Sequence, residues 1–349
     1  MQSSIEEGGF DELDIQQIVI PGLHLDSSKS TITVQIEIFR KISRFLNLQS
    51  KNQLTFFPTL QQSGAIPLGL TGKNYPAPWA GIIMAPAAHL SSINVQSHHK
   101  QLEIFLQGVA YKRMVKQNHC VSLASLDPFF VRWIENEKVI YCPDPVELYD
   151  DYSTIGREFK QINQSEEITI VVVGTIDRRK QVARLAEIIN SIDGNKYHLI
   201  VAGSVRPNAL KEVNSETVLK MIEAGKATTI LRRLSDEELD YLFYISDIVW
   251  SGNTRTYGSS GTIVRGALHS KPVISMDGSM MGNWLEEKDG GPVLNMKNND
   301  AVREELIRLQ QPEYRYNLGS KNNEIFRDNL PSNFAKTALE PLLKSDLPG

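Results

Sequence analysis

The sequence predicts an α/β fold with two doubly wound, Rossmann-like domains, and three observations carry that prediction. The chain has 349 residues, and single cores usually stop growing at roughly 250–300 residues. Its second half alternates short apolar runs with helix-period stretches. The apolar runs are continuous rather than alternating, as in strands buried on both faces of a parallel sheet, and two of them end in Gly.

In the second half, 168–174 (ITIVVVG) reads as the first buried strand and 179–192 as the helix after it. A second strand spans 197–203, a helix runs through 209–224, and a third strand covers 228–231. Ser235 caps the next helix, with Asp236, Glu237 and Glu238 in the first turn, where the helix dipole favours acids. Strands at 247–251, 272–276 and 292–296 follow, with a helix at 261–269 between the first two. Alternation of this kind builds a parallel sheet with helices on both faces.

The first half is similar but less regular, so the expectation is either a reduced first domain or a chain that begins late in it. Candidate strands are 15–20, 54–57, 81–84, 120–124 and 139–142; candidate helices are 33–47 and 98–116. Asp127–Pro128 marks the start of a short helix, with Asp as cap and Pro at the first position. The Gly- and Pro-rich stretch 58–80 reads as one long loop. The expected organisation is a first domain at 1–150, a polar linker at 151–166, a second domain at 167–330, and a closing helix and tail at 331–349 that pack on the first domain.

Composition excludes several functions. Net charge is −4, which gives no general attraction to nucleic acid. Cys120 and Cys142 are too few for a disulfide framework. The N-terminus lacks a signal-peptide pattern and no apolar run reaches the ~18 residues of a membrane helix, so a cytoplasmic location is expected. No HExxH, CxxC or carboxylate cluster calls for a metal, and no GxGxxG follows a predicted strand, so no metal and no dinucleotide cofactor are expected.

Ligands of such sheets bind at the carboxyl ends of the strands, and two loops there favour anions. The first is GTIDRRK, Gly174–Lys180, which sets Arg178, Arg179 and Lys180 at a helix start. The second holds Gly258, Ser259, Ser260, Gly261 and Thr262, whose amides and hydroxyls could cradle a phosphate, with Arg265 one turn further on. A diphosphate is the natural ligand.

The blocks GTIDRRKQVARLAEII, YHLIVAG, LSDEELDYLFYISDIVWS and GSSGTIVRGALHSKPVI resemble, in this order, the second domain of GT-B glycosyltransferases, in particular the group 1, or family 4, retaining enzymes. The upstream run VSLASLDPFFVRWIENEKVIYCPDPVE resembles the end of that family's first domain. The resemblance implies two Rossmann-like domains facing across a cleft, a nucleoside-diphosphate sugar as donor, and an acceptor hydroxyl entering from the first domain. In the family's G-R-x-x-x-x-K-G loop, Gly174 and Lys180 are kept, Thr175 stands at the Arg place and Gln181 at the final Gly. Lys180 is then expected on the donor diphosphate, with Arg178 or Arg179 supplying the missing guanidinium. In the E-x7-E motif both acids are replaced, by Tyr257 and Arg265. The loop that meets the base corresponds to 231–235, which brings in Arg232 or Arg233.

In the family a His follows a first-domain strand near the donor sugar, which makes His89 the candidate catalytic residue; His98, His99 and His24 stand behind it. Met280, Met281 and Gly282 fall where the family has a loop near the sugar, whereas Trp284 reads as packing and Asp127 as a cap. Lys73 is the only formal charge between Asn52 and His99, as suits a neutral sugar or a lipid-linked acceptor, the latter with peripheral membrane contact. Two alternatives accompany this reading. Loss of both motif acids suits a non-catalytic subunit that binds a sugar nucleotide or a partner enzyme, and a sugar-nucleotide epimerase would share the fold.

Overall fold

The computed structural model describes residues 54–60, 65–71, 75, 77–89, 98–162, 167–194, 196–252 and 258–344. The chain divides into two compact units, one of 1–145, 257–259 and 330–349, the other of 146–256 and 260–329. The predicted strand at 15–20, the helix at 33–47 and His24 lie outside the described residues.

The first unit runs β1 (Thr55–Phe57), α1 (Ala65–Thr71), β2 (Trp79–Ile83), α2 (His98–Met114), β3 (Cys120–Ser125), α3 (Pro128–Ile134) and β4 (Val139–Tyr141). Its four strands form one parallel sheet in the order β1-β2-β3-β4. Every residue of β2 is buried, which is why WAGII carries no polar alternation. The 58–80 stretch is not one long loop, because α1 lies inside it. Pro67 falls in the first turn of α1, where a missing N–H costs nothing. Gly69 is needed for close packing, since a Cβ there would come within 2.4 Å of the Ala110 backbone of α2. Asp127 caps α3 as the sequence predicts: its carboxylate accepts from the amides of Phe129 at 2.8 Å and Phe130 at 3.1 Å.

The second unit begins with α4 (Arg157–Ile162), inside the stretch read as a featureless linker, and α4 buries Phe159. There follow β5 (Ile168–Val173), a 3-10 turn (Arg178–Lys180), α5 (Val182–Asn190), β6 (Tyr197–Ala202), α6 (Leu210–Val213), α7 (Glu216–Glu223), β7 (Ala227–Ile230), α8 (Asp236–Ile245), β8 (Ile248–Ser251), α9 (Gly261–Leu268), β9 (Val273–Met276), α10 (Met280–Glu287), β10 (Val293–Leu294), α11 (Asn299–Leu309) and α12 (Pro312–Phe326). All six strands are parallel, in the order β10-β9-β8-β5-β6-β7. The strand order reverses direction between β5 and β8, so the switch point of this sheet lies between the loops that leave those two strands. β5 and β6 are buried throughout. Ser235 caps α8 as the sequence predicts, and Glu238 reaches back to the Ser235 amide to complete a capping box.

Two helices are shorter than the periodicity predicts. The helix read over 209–224 breaks between α6 and α7 at Asn214 and Ser215. The helix read from Arg179 is interrupted at Gln181, which is left-handed at φ 52° and separates the 3-10 turn from α5. The last helix, α13 (Pro331–Lys344), belongs to the first unit. It lies on that sheet, where Phe334 and Ala338 meet Ile82 and Ala124.

Candidate functional site

The site is built at the β5/β8 switch point, within the second unit. Gly174 leaves β5 at φ 92°, a backbone conformation open to glycine. Gly203, after β6, lies so close that a Cβ on it would stand 1.8 Å from the Gly174 carbonyl oxygen. Thr175 follows Gly174 on the exposed part of the turn. Asp177 then caps the 3-10 turn, accepting from the Arg179 amide at 3.0 Å.

The same Asp177 carboxylate takes the Arg179 guanidinium, with Nε at 2.9 Å and Nη2 at 2.7 Å. Burial alone would raise the Asp177 pKa, and the hydrogen bonds and charge of Arg179 outweigh it and hold it low. The side chain of Arg179 therefore neutralises its own turn rather than standing free for a ligand. Arg178 is exposed.

Lys180 is the unusual member of this turn. It is only 7% exposed, and among the described residues no carboxylate lies within 4 Å of its ammonium. Burial pushes its pKa down to about 8; Asp177 acts in the opposite direction, and Arg179 adds to the fall. Its carbonyl oxygen accepts from Trp250 Nε1 of β8 at 2.8 Å. Next to it, Gln181 Nε2 donates to the Gly252 carbonyl at 3.1 Å. The turn after β5 is thus tied once to β8 itself and once to the start of the loop after it.

The rest of the β8 loop is only partly described. Tyr257 lies outside the described residues. Ser259, expected as a hydroxyl donor to phosphate, donates to Asp144 at 2.6 Å in this structure. Ser260 caps α9 through its backbone alone, without a side-chain cap bond. The opening amides of a helix have no intrahelical partner, and here they belong to Gly261 and Thr262. Where a Cβ on Gly261 would sit there is open space.

Arg265 does not supply a free charge either. It is buried and donates to Asp240 at 2.5 Å and to the Glu147 carbonyl at 2.8 Å. Asp240 is fully buried and also receives His269 Nε2 at 2.9 Å, the Tyr152 hydroxyl at 2.7 Å and the Tyr149 amide at 3.1 Å. Burial alone would raise the Asp240 pKa; the bonds from His269, Tyr152 and Arg265 win and hold it down at about 2. Arg232 is likewise taken, by a two-pronged pair with Glu238 at 2.8 and 2.7 Å, with its guanidinium over Phe159. Arg233 is exposed. Arg206, which no motif singles out, is an exposed residue that caps the turn after β6 and whose amide bonds to Ile176 of the β5 loop. Its signal was its place just after a buried strand.

In the first unit, His89 follows β2 and has a buried side chain. Its Nε2 lies 3.1 Å from Asp127 Oδ2, and its ring packs against Phe130 and Trp133 at 5.9 and 6.4 Å. His98 and His99 open α2. Met280 and Met281 are buried in α10, and Trp284 there carries Lys288 over its ring. No described helix is long and apolar enough to cross a membrane.

Two parallel α/β units with a glycine turn and a helix start at the switch point define the GT-B class of fold, and the solved structures similar to this chain include GT-B glycosyltransferases. The sucrose-phosphate synthase of Thermosynechococcus elongatus aligns with TM-score 0.66 at 13% identity, over 92% of this chain and 80% of its own. Anabaena HepE, solved in complex with UDP, gives TM-score 0.66 at 11% identity over 88% and 82%. A glycosyltransferase of Rickettsia africae gives 0.63 at 14% identity over 97% and 88%. No protein-family model and no curated protein matches the chain.

Proposed function

We propose that this protein binds a nucleoside-diphosphate sugar on its second unit and transfers the sugar to an acceptor hydroxyl. The observation that carries the reading is Lys180. A buried lysine with no carboxylate within 4 Å among the described residues is costly unless something negative completes it. It sits at the switch point, where ligands of doubly wound sheets bind, at the same end of the sheet as the start of α9, whose opening amides favour anions. In this reading the diphosphate rests between the Gly174–Lys180 turn and the amides of Gly261 and Thr262. Arg178, Arg206 and Arg233 add positive potential around it. Departure of the nucleoside diphosphate is then stabilised by fixed donors, with no metal, and with retention at the sugar carbon as in the enzymes the sequence resembles. The acceptor is a sugar or a lipid-linked sugar of glycan or glycolipid synthesis, consistent with the near-absence of charge in 52–99.

A second reading has a specific observation behind it. Arg265, at the place of a motif acid, is locked onto Asp240, which suits a subunit that binds the sugar nucleotide without turning it over. One assay separates the two: purified protein, a panel of UDP-, GDP- and ADP-sugars, and detection of released nucleoside diphosphate with and without acceptor and EDTA. Release that persists in EDTA is the outcome expected of the transferase. Binding without any release favours the second reading, and loss of turnover in EDTA contradicts the metal-free mechanism.

A further inference from the structure

Gln181 holds a conformation that its residue type avoids. At φ 52° and ψ 44° it is left-handed, where glycine is at ease and other residues carry strain. Such strain persists only where the surroundings over-determine it, and the surroundings here are specific. Both ends of the side-chain amide are used. Nε2 donates to the Gly252 carbonyl at 3.1 Å, and Oε1 accepts from Arg184 Nη1 at 2.5 Å. Because an arginine can only donate, it fixes which end of the amide is oxygen and so which end faces Gly252.

Arg184 is itself anchored. Its Nε donates to Asn299 Oδ1 at 2.7 Å, at the start of α11. On the other side, residue 252 can hold this place only as glycine: a Cβ there would lie 2.4 Å from the Trp250 ring. A relay therefore runs from Asn299 through Arg184 and Gln181 to the loop after β8. It runs beside the Trp250 bond to the Lys180 carbonyl.

We propose that Gln181 is a positioning residue for the anion site: its side chain clamps the turn carrying Lys180 to the loop after β8, with Arg184 and Asn299 holding the clamp in register. The proposal rests on the reading of this site as a diphosphate site. It explains why a strained glutamine occupies a position where glycine would fold more easily. Glycine would keep the turn's backbone shape and lose the clamp.

The test is calorimetric titration of UDP, GDP and ADP into the wild-type protein, followed by titration of the one that binds (UDP below) across pH 6–10 into the wild type, Gln181→Gly, Gln181→Glu and Arg184→Ala. Gln181→Gly removes the strain and the clamp together, so the fold is expected to survive with an unchanged thermal midpoint or a higher one. Its UDP affinity is expected to fall about tenfold or more. The pH at which binding fades should rise from about 8 toward the ordinary lysine range, as the turn loosens and water reaches Lys180. Gln181→Glu keeps the acceptor for Arg184 but offers no donor to Gly252, and is expected to weaken binding similarly. Arg184→Ala should weaken binding in the wild type but add little to Gln181→Gly, because the two act through one relay. Wild-type binding with unchanged affinity and pH midpoint in Gln181→Gly overturns the positioning role alone. A wild-type protein that binds none of UDP, GDP and ADP overturns the diphosphate reading beneath it.

Discussion

Among the charged side chains at the carboxyl ends of the second sheet, fate is decided by partners rather than by position. Arg179, Arg232 and Arg265 each read as a free cation in the sequence, and each is held by an acid: Asp177, Glu238 and Asp240. The first two partners are local, two and six residues away. The third is tertiary, 25 residues distant, and no local pattern announces it. Lys180 was legible because its place in the Gly174–Lys180 turn is a matter of spacing, but its burial was not. Removing its charge should separate folding from binding. Lys180→Met is expected to stabilise the fold at pH 7 by roughly 1–3 kcal/mol, since an unpaired buried charge is exchanged for packing. Chemical denaturation checks this, and a loss of stability would mean that the ammonium has a partner in the folded protein. The Asp240 hub behaves in the opposite way. Its folded pKa lies below the unfolded value of 3.8, so its contribution is present above that value and fades as pH falls toward about 2. Asp240→Asn leaves Arg265 buried without its acid and should cost about 3–5 kcal/mol at pH 7, with a smaller loss near pH 2 in the same unfolding experiment.

Strands were the most legible elements, because a continuous apolar run bounded by Gly or Pro has few other uses. Five of the six second-unit strands begin and end within one residue of the sequence reading. Helices were less so where Gly, Pro or a left-handed residue serves packing rather than termination. Pro67 and Gly69 made α1 look like loop, yet one occupies a harmless first-turn position and the other admits the Ala110 backbone. Gln181 carries no helix-breaking signature, so the break before α5 was invisible. At this scale Gly69→Ala is expected to force α1 away from α2 and destabilise the protein by about 1–3 kcal/mol or more. A thermal midpoint unchanged from wild type would show that the two helices can separate freely.

For the whole molecule, the near-neutral composition conceals an uneven distribution. The second unit gathers Arg178, Lys180, Arg206 and Arg233 around one end of its sheet, while segment 52–99 of the first carries Lys73 alone. The alternation of strands and helices made the fold class readable, and the similar solved structures, at 10–14% identity, share that fold. What no pattern in the chain conveys is which anion completes Lys180. Titration of UDP, GDP and ADP into the wild-type protein and Lys180→Ala at pH 7 and pH 9 tests this most directly. At least one nucleoside diphosphate should bind at pH 7. Lys180→Ala should weaken it about tenfold to a hundredfold, as loss of a charge-assisted bond does. Because binding favours the protonated amine, wild-type affinity should fall between pH 7 and pH 9, whereas the variant's should not. Equal affinity in both proteins at both pH values would place the diphosphate elsewhere and contradict the site.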